Sequence, residues 1–284
     1  MRKFSLVCVV FIAFFCLCPV ANALEWKELH EKADAMTLAE ARSAQEKEPD
    51  SQEALYLLGL ALLNEYKISE AWNLFERMEP GRIEARWGKA EVLRRRHELD
   101  EAEKMLEAVI LDDPSYAPAP ISLGYMLLDK GEYERAIRLA NKVLGMGRQA
   151  VDSSNYARAY LIIGGAKATL ADKGGIFSKI FQGTQVLGYF KKAQSLQPHS
   201  AGVLYGLGSF YALAPGIAGG DVDKGLAYLR QAIQADPCFV DAYARLAQVW
   251  LKQGDRGRYE SYMKKAEELD PKDPLVMRVR QMGL

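Results

Sequence analysis

From residue 25 onward the apolar residues recur three and four apart, as on one face of a helix, and do not alternate as in a strand. Leu55, Leu58 and Leu62 precede Ala71 and Phe75; Leu123 and Leu127 precede Ala136 and Ala140. Few β-branched runs interrupt this spacing, so the chain reads as all-α. Helix ends are also legible. In Asp113-Pro114, Asp236-Pro237 and Asp270-Pro271 the proline disfavours helical geometry in the residue before it. Thr37-x-x-Glu40 and Asp50-x-x-Glu53 read as capping boxes at helix starts.

The first residues follow a different pattern. Met1-Arg2-Lys3 is a short cationic start, Phe4 to Cys18 carries no charge, and Ala21-Asn22-Ala23 follows Pro19. This order predicts a signal peptide over residues 1–23 with cleavage after Ala23 and a periplasmic or secreted mature chain. The cysteines are not preceded by the small residues a lipid-attachment signal needs. Cleavage would leave Cys238 as the sole thiol, expected as a small core residue, so no internal disulfide could form.

The helical pattern repeats. Leu55-x-x-Leu58-Gly59-x-x-Leu62 leads to Ala71-x-x-x-Phe75, and Ala90-x-x-Leu93 leads to Ala102-x-x-x-Leu106 and Pro114. Leu123-Gly124-x-x-Leu127 leads to Ala136-x-x-x-Ala140, and Tyr160-x-x-Ile163-Gly164 to Val186-x-x-x-Phe190. Leu204-x-x-Leu207-Gly208-x-x-Tyr211 leads to Gly225-x-x-x-Leu229, and Tyr243-x-x-Leu246-Ala247-x-x-Trp250 to Tyr259-x-x-x-Met263. From Ala71 the equivalent positions fall at 102, 136, 186, 225 and 259, steps of 31, 34, 50, 39 and 34.

This series resembles the tetratricopeptide-repeat (TPR) family, in particular its bacterial exported members. The resemblance implies an all-α fold, a right-handed superhelical solenoid of antiparallel helix hairpins, in which distant repeats do not touch. Six repeats are expected over 52–83, 84–116, 117–150, 154–200, 201–239 and 240–273, with a truncated N-terminal hairpin over 25–50 and a C-terminal capping helix over 275–282. Gly59, Ala90, Gly124, Gly164, Gly208 and Ala247 are small where the two helices of a hairpin are expected to cross.

The same resemblance places the concave groove on the first helix of each repeat. Carried over by register, it assigns Tyr56, Asn64, Trp87, Glu91, Arg94, Tyr125, Arg158 and Tyr205 to a binding surface. The tyrosines and Trp87 would bury apolar side chains, and Arg94 or Arg158 would take a carboxylate. Replacing Trp87 and Tyr125 by Ala is then expected to weaken partner capture without loss of helix. The Lys, Asn and Arg set by which some members clamp chain-terminal carboxylates is not reproduced. Arg94-Arg95-Arg96-His97 reads as a solvated helix end.

Two repeats carry insertions. Residues 174–183 put Ile176, Phe177, Ile180 and Phe181 on one face of a helical turn or two, which would pack on the solenoid or touch a partner or a membrane. In Ala214-Pro215-Gly216-Ile217-Ala218-Gly219-Gly220-Asp221, Pro215 stops one helix and Asp221 caps the next; no Lys-Ser/Thr follows, so it is not a phosphate loop.

Composition narrows the function. Hydrophobic residues make up 49% and charged residues 26%, a globular balance, and the formal net charge is zero, so no basic face calls for nucleic acid. No metal-ligand, thiol-pair or nucleophile motif is present, the three histidines are distant in sequence, and neither catalysis nor a cofactor is expected. The expectation is a non-catalytic protein–protein interaction scaffold of the cell envelope, holding a peptide or helix of a partner in its groove. Membrane contact would come only through 174–183. The alternative is a periplasmic component associated with a tripartite solute transporter, binding a small ligand or a solute-binding protein; such components are commonly lipid-anchored.

Overall fold

The computed structural model describes residues 26–173 and 175–284, without the side chains of 175–184. Residues 1–23, where the sequence predicts a signal peptide, lie outside the described residues, within which no helix is long and apolar enough to cross a membrane. Two short helices come first, α1 (Trp26–Ala35) and α2 (Leu38–Lys47). Six hairpins follow: α3 (Gln52–Asn64) with α4 (Ile68–Arg77), α5 (Ile83–Arg95) with α6 (Leu99–Asp112), and α7 (Pro118–Lys130) with α8 (Tyr133–Met146), then α9 (Ser153–Lys173) with α10 (Gly175–Leu196), α11 (Ala201–Leu213) with α12 (Val222–Ala235), and α13 (Val240–Lys252) with α14 (Arg256–Leu269). The last helix, α15 (Pro274–Gly283), buries Val276 and Val279 against the final hairpin. The described residues contain no strand.

Close approach of backbones sets this stack. Phe75 on α4 lies between two glycines: a Cβ on Gly59 of α3 or on Gly88 of α5 would sit 2.5 Å from its Cε1. At the crossing of α11 and α12 it is backbone that comes close: a Cβ on Gly225 would lie 2.5 Å from the backbone nitrogen of Ala212. Gly124 departs from expectation. Its near neighbour is Ile162 on the following hairpin, at 2.8 Å, and not a residue of its own second helix.

Local chemistry ends the helices. Thr37 forms the capping box with Glu40, and Asp221 accepts a hydrogen bond from Lys224 N at the start of α12. At α3 the cap is Ser51, whose Oγ accepts from Ala54 N, and not Asp50. The fourth repeat, which carries the insertion, has the two longest helices, 21 residues in α9 and 22 in α10, and residues 175–183 belong to α10.

The turns between the helices of a hairpin show how the solenoid closes. Tyr66, His97, Gly131 and Gly254 all take positive φ, at 56°, 63°, 79° and 77°. Glycine takes this left-handed conformation freely, whereas Tyr66 and His97 hold it at a cost of about 1 kcal/mol each. Both reach across the superhelix. Tyr66 OH donates to Asp236 Oδ2 at 3.3 Å, and His97 Nε2 lies 2.8 Å from Asp270 Oδ2. Asp236 and Asp270 precede the prolines that close the fifth and sixth repeats. Distant repeats therefore do touch, contrary to the expectation for an open solenoid.

The Gly225 crossing has a direct check. Gly225→Ala should lower stability by about 1–3 kcal/mol, because backbone must move to admit a methyl group. Gly188→Ala, with open space around it inside α10, should leave stability unchanged or raise it. Urea unfolding of the two variants measures the difference.

Candidate functional site: the concave face

The first helices of the hairpins line the concave face, and at its N-terminal end the face is already occupied. Helix α1 does not lie along α2 as a hairpin partner. It crosses the groove and packs on α3, placing Trp26, Leu29, His30 and Ala33 inward. His30 Nε2 shares a 2.7 Å hydrogen bond with Tyr56 OH, which is 2.8 Å from Tyr116 OH. The His30 ring centroid lies 5.3 Å from that of Trp87, and Trp26 lies 5.6 Å from Tyr116. Trp87 Nε1 donates to Ser122 Oγ at 3.0 Å. Burial lowers the His30 imidazole to about 4, against the opposing field of Asp152, so His30 is neutral at neutral pH.

This nest corrects part of the groove assignment. Tyr56 is 1% exposed and Trp87 5% exposed, so neither lies on an open surface. Register placed both on the concave side, but it could not show that α1 covers them. His30, Tyr116 and Ser122 were missed; the only local signal was Trp26 and His30 one helical turn apart.

The charged residues form two groups. Glu91 is buried on α5 and receives Arg94 Nη2 at 3.0 Å and Arg94 Nε at 3.3 Å. Burial by itself would raise the Glu91 carboxyl; the Arg94 guanidinium overrides it and holds it at about 2. Arg94 is thereby committed to its own helix and is not a free clamp. Nor is the 94–97 cluster a solvated end. Arg95 donates to the Leu63 carbonyl and lies over Tyr66, Arg96 sits 5.1 Å from the centroid of Trp72, and His97 meets Asp270. The second group is acidic. Asp129 at the end of α7, Asp241 on α13 and Asp273, the cap of α15, are brought together across the superhelix. Burial raises Asp241 to about 7 and Asp129 to about 6, with repulsion by Asp273 adding to both.

The remaining assigned residues are more open. Tyr125 is half-buried near Arg94 and Arg158, and burial pushes its hydroxyl up to about 12. Tyr205 is half-buried and accepts a 2.9 Å bond from Arg245 Nη2, whose Nε is buried without a partner among the described residues. Arg158 is exposed on α9, with a 3.4 Å bond to Asn155 Oδ1. Asn64 is exposed at the end of α3, apart from the others. The side chains of Ile176, Phe177, Ile180 and Phe181 lie outside the described residues. Cys238 is half-buried in the turn before α13 and is not a core residue.

Stacked helical hairpins with a concave face lined by first helices define a repeat scaffold of the kind that binds proteins. A family model described as tetratricopeptide repeat matches residues 87–155 and 217–274. Over those two stretches the chain is similar to the tetratricopeptide-repeat family, and its helical hairpins have the same fold. Its fold is similar to that of TTC0263, a thermophilic TPR protein of Thermus thermophilus, at 22% identity, with 70% of this chain and 98% of that one covered and a TM-score of 0.57. A tetratricopeptide repeat protein from Parabacteroides merdae matches at 16% identity over 90% of this chain and 97% of its own, TM-score 0.51. PilW, described as a widely conserved type IV pilus biogenesis factor, matches at 15% identity over 81% and 98%, TM-score 0.50. Identities this low show the fold alone. No curated protein matches the chain.

Two outcomes follow from burial and charge. Trp87→Ala should cost about 3–5 kcal/mol in chemical denaturation, since it empties a filled core position and leaves Ser122 without its donor, so helix content will not withstand it as an exposed groove position would. For Asp241, a native carboxyl at about 7 against about 3.9 unfolded keeps a proton that the unfolded chain has lost, so stability falls as pH rises through that window. Asp241→Asn should therefore raise the melting temperature at pH 8 and leave it unchanged near pH 4.

Proposed function

We propose that this scaffold is a non-catalytic adaptor of the cell envelope, and that it holds a carboxylate-bearing peptide or helix of a protein partner in the open part of its groove. The observation that carries this reading is Arg158. The neighbouring concave cations are engaged: Arg94 with Glu91, Arg95 with the Leu63 carbonyl, and Arg245 with Tyr205. Arg158 is exposed, and its positive charge acts on Tyr125 and on Asp34. An exposed guanidinium within reach of the half-buried Tyr125 suits a carboxylate of a partner segment, whose two oxygens the fork takes while the tyrosine ring packs on its neighbouring apolar side chain.

Envelope placement rests on the cationic start, the uncharged run and the Ala21-Asn22-Ala23 site, together with a single remaining cysteine. The 174–183 insertion supplies a second contact surface in this reading, through Ile176, Phe177, Ile180 and Phe181.

The test is crosslinking of the tagged chain in its native compartment, followed by identification of what co-purifies. Arg158→Glu should reduce capture of the leading partner about tenfold or more at unchanged circular dichroism, because a rim charge reversed against its counter-charge costs more than its removal. Capture unaffected by the reversal overturns the groove assignment. Sequencing of the mature N-terminus should begin at Leu24; a chain that keeps Met1 and stays in the cytoplasm overturns the envelope assignment.

A further inference from the structure

Helix α1 has the marks of a ligand more than of a structural repeat. It is ten residues long, too short to be stable as an isolated helix, and is joined to α2 by Met36 and Thr37 alone. Its inward face is Trp26, Leu29, His30 and Ala33, while Glu28, Glu31, Lys32, Asp34 and Ala35 face solvent. That is the i, i+3, i+4, i+7 face by which an amphipathic helix occupies a hydrophobic groove. The contacts that tether it at its edges are polar and at the surface: Lys27 Nζ to Gln149 O at 2.8 Å, Lys32 with Glu53, and Ser154 with Asp34. Exposed pairs of this kind contribute little.

The receptor side is also complete without it. Tyr56 and Tyr116 bond to each other and Trp87 bonds to Ser122, so withdrawing α1 breaks a single buried hydrogen bond, His30 to Tyr56, and strands no other polar atom of the nest. What it would uncover is an aromatic surface of Tyr56, Trp87 and Tyr116, whose rings already contact one another.

We propose that α1 is a built-in occupant of the groove, and that a protein partner displaces it with an amphipathic helix presenting an aromatic residue at one position and an aromatic or imidazole ring four residues later, with a basic residue placed to meet Glu53. This rests on the groove reading above and adds its regulation: the N-terminal half of the site is shut until a helix of that chemistry competes. A tethered helix competes at an effective concentration near the millimolar range, which sets a threshold that weak or unrelated helices do not pass.

The experiment uses the full mature chain and a fluorescent synthetic peptide of residues 25–36. The wild-type chain should bind the peptide roughly tenfold or more weakly than the variant Trp26→Ala, His30→Ala, whose own α1 has lost its anchors. The same peptide carrying Trp26→Ala should not bind either chain. Equal binding by both chains, or no binding by a double variant that keeps its melting transition, overturns the proposal. Should the double variant not fold, hydrogen exchange on the wild-type chain decides: α1 amides should exchange roughly tenfold or more faster than those of α3 and α5, and equal protection overturns it. Exchange of α1 between chains with formation of a dimer would assign the occupant to a second copy and overturn the partner assignment. The peptide assay needs no partner, so its failure leaves the Arg158 capture result standing, and a failed capture leaves the peptide result standing.

Discussion

The structure depends on how closely two helix backbones approach inside and between hairpins. At the α11–α12 crossing the side chain of residue 225 is reduced to hydrogen, because a single carbon there would meet the backbone of the facing helix. Around Phe75 the same device is used twice, with Gly59 and Gly88 yielding their side-chain volume to one ring shared by α3, α4 and α5. A ring shared in this way ties a hairpin to the next one, so the angle between successive hairpins is set at the same points as the angle within them. The curvature of the stack is the sum of those angles.

Curvature accumulated over six hairpins brings the first turns to the last. Tyr66 and His97 hold left-handed backbone that glycine would hold with less strain, and each offsets that strain with a hydrogen bond to an aspartate of a distant repeat. Asp129, Asp241 and Asp273 meet in the same region, and burial with mutual repulsion keeps their protons on to unusually high pH. The closure therefore combines favourable rungs with a repulsive acidic group. The first and last repeats are thereby linked at their turns, which an open solenoid's would not be.

The N-terminal helix follows from the same geometry. A groove lined by Tyr56 and Trp87 is a large apolar surface, and α1 removes it from water with one short amphipathic face. In doing so it converts two residues with the register of ligand-binding positions into core residues. Of the residues that register assigned to the groove, Tyr125, Arg158 and Tyr205 stay less covered than Tyr56 and Trp87.

The sequence by itself determined the local structure: helical periodicity, the spacing of small residues, the prolines at the repeat ends, and the caps at Thr37 and Asp221. These are short-range effects, decided within a few residues by packing and hydrogen bonding, so one chain read in order is enough to recover them. Register also put Tyr56, Trp87, Glu91 and Tyr125 on the first helices of their hairpins, where the structure has them. Only the tertiary structure decided which of those residues are open. The cover over Trp87 comes from His30, the neutralising partner of Arg94 sits one turn away on its own helix, and His97 finds Asp270 at the other end of the chain. Contacts of that separation arise from rotations summed over many hairpins, and no local spacing in the sequence records the sum.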